Sequence, residues 1–177
     1  FTVDVDGTLH VAGIVSYGSS DQCADPRLPN VATRVTAYAD WISAVLAASP
    51  QSSIVGGNKT GIDDRPFQVA LIYSDTNDSF EAQFCGGTLI ADRWVLTAAH
   101  CVESFLEYGG DICFVIGTDL DARGGVNAYV TATQMFSHPN YGSGNSYADI
   151  GLVELLNNLP QYDTMPLNTD RVRSSWY

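Results

Sequence analysis

Residues 85–101 read CGGTLIADRWVLTAAHC, and the fold turns on this stretch. Gly87–Ile90 and the apolar run Trp94–Thr97 have the composition of two strands, with a cysteine at either end of the segment. A disulfide closing the loop would hold one end of the second strand against its neighbour. It would also fix His100, the residue immediately before Cys101. An imidazole pinned in this way suits proton transfer, because its ordinary pKa lies close to neutrality. The residues leave a second reading open, a structural histidine beside a structural disulfide. The pairing is open too, since Cys23, Cys85, Cys101 and Cys113 permit three connectivities.

Strand signals recur outward from that stretch. Phe67–Tyr73 precedes it, and Ile112–Ile116, Tyr129–Phe136 and Ile150–Leu155 follow, separated by Gly, Asn and Asp turns. Together these are six strands, enough for one Greek-key barrel. Residues 48–53, ASPQSS, are small, polar and without periodicity, and read as a linker. At the start of the chain, Phe1, Val3 and Val5 alternate with Thr2, Asp4 and Asp6. Asp6-Gly7 predicts a hairpin turn, with Leu9–Val15 as the returning strand and His10 as a surface residue within it. Apolar residues at Val35, Tyr38, Ile42, Val45 and Leu46, beside Trp41, predict the one helix of the chain within Val31–Ala47.

Eight basic against 20 acidic residues give a formal net charge of -12, a surface that repels nucleic acid and anionic membrane. No stretch is long and apolar enough to span a bilayer. The chain opens on an alternating pattern, so no signal peptide is expected in it. Asn58 and Asn77 head Asn-x-Ser/Thr sequons, which are compatible with an oxidising, extracellular compartment. His100, His138 and Asp149 lack the short spacings of metal ligands, and Gly56-Gly57 and Gly86-Gly87 are isolated pairs. Neither a metal nor a phosphate-bearing cofactor is expected.

Thr97-Ala98-Ala99-His100-Cys101, preceded by Cys85-Gly86-Gly87-Thr88-Leu89-Ile90, resembles the trypsin/chymotrypsin-like serine proteases around their catalytic histidine. Ile54-Val55-Gly56-Gly57 resembles their mature N-terminus, and Ala148-Asp149-Ile150-Gly151-Leu152 the segment with their catalytic aspartate. The family is the type case of the Ser-His-Asp triad. The resemblance implies an all-β fold, a double Greek-key β-barrel in which residues 54–177 form a nearly complete first barrel. Residues 1–47 resemble the family's last hairpin, pocket wall and C-terminal helix, so the second barrel is only partly present and the two ends are in inverted order. Pro160–Tyr177 resembles the crossing between barrels.

The resemblance also assigns roles. His100 is the general base and Asp149 holds its tautomer, while Cys85 and Cys101 form the bridge. Ile54 is the activation N-terminus, although Ser53 before it would not serve a protease that cuts after Lys or Arg. Ser16-Tyr17-Gly18 pairs with substrate, and Asn30 places a polar side chain at the back of the specificity pocket. The family's Gly-Asp-Ser-Gly-Gly-Pro nucleophile segment is not found; Tyr141-Gly142-Ser143-Gly144 reads as a turn. The implied function is a secreted serine endopeptidase that meets polypeptide substrates or protein inhibitors. This stretch holds its base and aspartate without its serine, and is expected not to hydrolyse peptides. The inverted order is expected from a slice through neighbouring protease domains in tandem. A circular permutant with a deletion and a non-catalytic binding homologue are the alternatives.

Overall fold

In the computed structural model, the described residues are 1–17, 31–48, 67–73, 81–108, 113–117, 128–142, 148–157 and 163–169. The Asp6-Gly7 turn forms as expected. Asp6 at φ 51° and Gly7 at φ 82° both occupy the left-handed region that a two-residue hairpin of this twist requires. The Gly7 N–H donates to Asp4 Oδ1 at 2.8 Å. β1 (Thr2–Val5) and β2 (Thr8–Val11) flank the turn as an antiparallel pair. The expected return strand Leu9–Val15 is corrected, because the backbone changes partners at Ala12. The Ala12 and Gly13 N–H groups both donate to the Phe1 carbonyl, at 2.9 and 3.2 Å, while Val35 N–H donates to the Ala12 carbonyl at 3.0 Å. Beyond this point β3 (Gly13–Tyr17) pairs with β4 (Val31–Arg34).

The helix expected within Val31–Ala47 is corrected as well. Val31–Arg34 is strand, Val35–Ala37 is a single 3₁₀ turn, and only Ala39–Ala48 forms α1. The β-branched Val31 and Thr33 favour extended backbone, and β3 supplies their hydrogen-bond partners. Ala48 ends α1, so helix runs one residue into the expected linker; the rest of that linker lies outside the described residues.

The six remaining strands are β5 (Gln68–Tyr73), β6 (Gln83–Ala91), β7 (Trp94–Thr97), β8 (Cys113–Gly117), β9 (Ala128–Ser137) and β10 (Gly151–Leu155). They close into a barrel in the order β10-β7-β6-β5-β8-β9, with every pairing antiparallel. All six match the strands read from the sequence, with β6 and β9 longer. The expectation of a single helix does not hold, since α2 (Ala99–Tyr108) follows β7 directly. Its buried face, Ala99, Val102 and Phe105, recurs at helical spacing. The fold is all-β with two α-helices among the described residues.

β7 is buried along its whole length, and the reason sets the architecture. Its side chains alternate, as in any strand, but both faces find apolar partners. Val95 points into the barrel with Val69, Leu71, Leu89, Phe105, Val130, Val153 and Leu155. Trp94 and Leu96 point outward with Ile150 and Leu152 of the neighbouring segment, into a second core completed by Val11, Val35 and Ile42. The described residues of 1–48 therefore cover the outer wall of β7 and β10. Residues 163–169 hold them there: Val11 N–H donates to the Pro166 carbonyl and Asn168 N–H to the Val11 carbonyl, both at 2.9 Å. Phe1, Leu9, Val15 and Tyr17 stay exposed.

Candidate active site

The antiparallel register of β7 and β10 ends at the pair Thr97–Gly151. The chain leaving Thr97 and the chain arriving at Gly151 therefore lie at one end of the barrel. Three residues on from Thr97 is His100, and two residues back from Gly151 is Asp149. α2 starts here on Ala98 and Ala99, which have no side chain able to cap it. Asp149 does so instead, accepting the His100 backbone N–H on Oδ1 at 2.9 Å. The positive end of the helix favours the carboxylate. Gly151 lets the helix come this close: a Cβ there would lie 2.9 Å from Val102 Cγ2 and 3.1 Å from the Ala98 carbonyl oxygen.

The other oxygen of Asp149 holds two side chains. His100 Nδ1 lies 2.8 Å from Oδ2, and the Ser16 hydroxyl donates to the same oxygen. The Asp149 side chain is only 4% exposed, whereas that of His100 is 40% exposed. Burial alone would push the Asp149 carboxyl up. The hydrogen bonds from the His100 ring, Ser16 and the His100 backbone outweigh it and hold the carboxyl below its ordinary 3.8. The Asp149 hydrogen bond raises His100 above 6.5; partial burial opposes this and the nearby charge adds to it. An ionised carboxylate only accepts, so Nδ1 carries the proton and the lone pair of the neutral ring resides on Nε2.

Cys85 of β6 and Cys101 of α2 are bridged, with their Cα atoms 6.1 Å apart. The bridge ties the first turn of α2 to the sheet directly beside His100, whose Nε2 lies 3.4 Å from Cys101 Sγ. The ligand-type atoms of Cys85, His100 and Cys101 all lie within 4.8 Å of one another. While the sulfurs are bonded to each other, that cluster cannot take a metal through them. His138 stands apart. Its ring meets Tyr38 and Trp41 edge-on at 4.8 and 5.0 Å, and its Nδ1 accepts the Asn140 N–H at 3.2 Å. It packs residues 1–48 onto the barrel.

The structure thus brings together His100, Asp149, Ser16, Cys85 and Cys101. Ser16, whose backbone the resemblance assigns to a substrate wall, also turns its hydroxyl to Asp149, a contact not expected from the sequence. The donor stands 133 residues away along the chain, a distance that no local pattern spans. The Tyr17 residue is 56% exposed. Gly18, Asn30 and Ile54 lie outside the described residues, as does Cys23 and with it any Cys23–Cys113 bridge.

Comparison with known proteins bears on both pieces of the chain. The family model described as Trypsin matches residues 3–42 and 54–175. Chymotrypsin-like elastase family member 1 of Homo sapiens is 34% identical over 123 residues, 64% of this chain and 45% of that protein. Tryptase of Mus musculus is 34% identical over 125 residues, 66% of this chain and 42% of that protein. The solved structure of Vibrio cholerae VesB protease shares 31% identity over 60% of this chain and 32% of that one, with a TM-score of 0.47. The chain spans less than half the length of the curated relatives it matches. With the family model matched across both pieces, on either side of residues 43–53, the chain belongs to the trypsin/chymotrypsin-like serine protease family.

Proposed function

We propose that this chain carries the proton relay of a secreted serine endopeptidase, with His100 as general base and Asp149 as its orienting carboxylate. The observation that carries the reading is the 2.8 Å contact between His100 Nδ1 and a carboxylate that is 4% exposed. A hydroxyl brought to Nε2 loses its proton to the ring, and the imidazolium so formed is stabilised by Asp149. Ser16 is a positioning residue: its hydroxyl proton is spent on Asp149, so it is no nucleophile here. The backbone of Ser16-Tyr17-Gly18, with Asn30, is assigned to substrate binding, and Ile54 to the activation end.

In this reading residues 1–47 are the C-terminal part of one trypsin-like domain and 54–177 the N-terminal barrel of a trypsin-like domain, with the connecting segment starting after α1 ends at Ala48. A rearranged single domain is the second reading beside a slice through tandem domains. The Ser16 and Asn168 hydrogen bonds favour it, because they join the two pieces as parts of one body. The expected substrates are polypeptides, and protein inhibitors are the expected partners. The Cys85–Cys101 disulfide supports an oxidising, extracellular setting.

The 177 residues contain no Gly-Asp-Ser-Gly segment, and loss of the nucleophile costs a Ser-His-Asp protease on the order of 10⁶ in turnover. The chain is therefore expected to take no stoichiometric label from a serine-directed fluorophosphonate. It is also expected to turn over peptides no faster than His100→Ala. Full labelling, with turnover lost in His100→Ala, would overturn the reading.

A further inference from the structure

We propose that reduction of the Cys85–Cys101 disulfide converts this corner of the cleft into a Cys₂His site for zinc or a similar soft divalent cation. The ligands are the two thiolates and His100 Nε2. The inference goes beyond the proton relay and does not depend on it. Four observations converge on it.

The first is distance. Tetrahedral zinc, with bonds of about 2.3 Å to sulfur and 2.0–2.1 Å to nitrogen, sets those two ligand atoms about 3.6 Å apart. His100 Nε2 and Cys101 Sγ are already 3.4 Å apart. Two thiolates on such an ion stand about 3.8 Å apart, so each sulfur swings by roughly 1 Å once the bond is broken. The second is the frame. Cys85 sits in β6 and Cys101 in the first turn of α2, and all three ligand atoms fall within 4.8 Å.

The third is what stands behind the histidine. A metal-bound imidazole ordinarily gives its other ring N–H to a carboxylate, which fixes the tautomer and strengthens the ligand. Asp149 does this to Nδ1 at 2.8 Å, leaving the Nε2 lone pair for the ion. The fourth is access. The His100 side chain is 40% exposed, so a cation reaches the ring from water, while Cys101, at 5%, closes the inner side of the site. Sequence spacing gives no sign of the site, because Cys85 reaches it from a different strand.

The chemistry balances. A phosphine or dithiol supplies two electrons, the S–S bond breaks, and each sulfur takes a proton. The cation then displaces those two protons as two thiolates bind it. A cation on Nε2 occupies the lone pair that a proton relay would use, so metal loading and base catalysis exclude each other.

The test uses the full chain carrying Cys23→Ser and Cys113→Ser, which removes the other two thiols. The protein is reduced with a phosphine, desalted without air and titrated with Co²⁺. The expected result is one equivalent bound, with thiolate-to-cobalt charge transfer in the near ultraviolet and the intense visible bands of tetrahedral cobalt. Zinc should displace it. His100→Ala should weaken binding at least tenfold, and Asp149→Asn by about 10–100-fold. The air-oxidised chain should show no charge-transfer band. Circular dichroism of the reduced chain, before and after zinc, separates a folded site from chelation by an unfolded chain. Equal affinity in His100→Ala, no tetrahedral bands in a folded reduced chain, or a reduced chain that stays unfolded with zinc would each overturn the proposal.

Discussion

Asp149 keeps its charge inside the protein because three donors converge on two oxygens: the His100 backbone, the His100 ring and the Ser16 hydroxyl. The arrangement has a pH signature whose sign follows from the two shifts. The Asp149 carboxyl lies lower in the fold than its ordinary 3.8, so its stabilisation is full above that value and is lost as pH falls through the folded pKa. His100 lies above 6.5, so its contribution is full below that value and is lost as pH rises through the raised pKa. Both act together between 3.8 and 6.5. Asp149→Asn is expected to destabilise the protein most in that window, with the deficit shrinking on either side. Urea midpoints of both proteins across pH check this, and a deficit that is constant from acid to alkali would contradict it. His100 and Asp149 were legible as residues, because each stands in a short motif. Ser16 was legible as part of Ser16-Tyr17-Gly18, but its bond to Asp149 was not, because that depends on where two distant segments meet.

All six barrel strands were legible as apolar segments bounded by Gly, Asn and Asp turns. β7 shows what burial on both faces does to such a pattern. Trp94-Val95-Leu96 reads as one apolar run, although Val95 belongs to the barrel interior and its neighbours to the outer core. α2 shows in the repeat of Ala99, Val102 and Phe105, but it follows β7 through Ala98 with no Gly, Pro, Asn or Asp to mark the boundary. The Leu9–Val15 strand was misjudged for another reason: the Phe1 carbonyl captures two successive N–H groups, an event with no sequence signal. Where β6 crosses β7 the packing leaves no room. A Cβ on Gly87 would lie 2.4 Å from Val95 Cγ1 and 3.2 Å from Val69 Cγ2. Gly87→Ala is expected to cost about 1–3 kcal/mol, as overpacking of a filled core does. A denaturant midpoint equal to that of the parent would show that the barrel wall yields there.

For the molecule as a whole, the decisive feature is that the piece standing first in the sequence closes the outer wall of the piece standing second. The apolar positions of α1 were legible, but the partner of that face was not: it is supplied by β7, Ile150 and Leu152, far along the chain. Ile42 is fully buried in this second core. Ile42→Ala is expected to cost about 2–5 kcal/mol. If the two pieces fold as one body, fluorescence and far-ultraviolet dichroism should shift together. Loss of helix alone at low urea, with the barrel transition unmoved, would show that residues 1–48 are an independent appendage.

The account rests on His100 being held by Asp149 with its proton on Nδ1, and ¹⁵N NMR of the histidine rings across pH measures that directly. The expected spectrum has His100 as the Nδ1-protonated tautomer when neutral, titrating above 6.5 and moving down in Asp149→Asn. A His100 ring protonated on Nε2 when neutral, or titrating at or below 6.5 and indifferent to Asp149→Asn, would contradict the account.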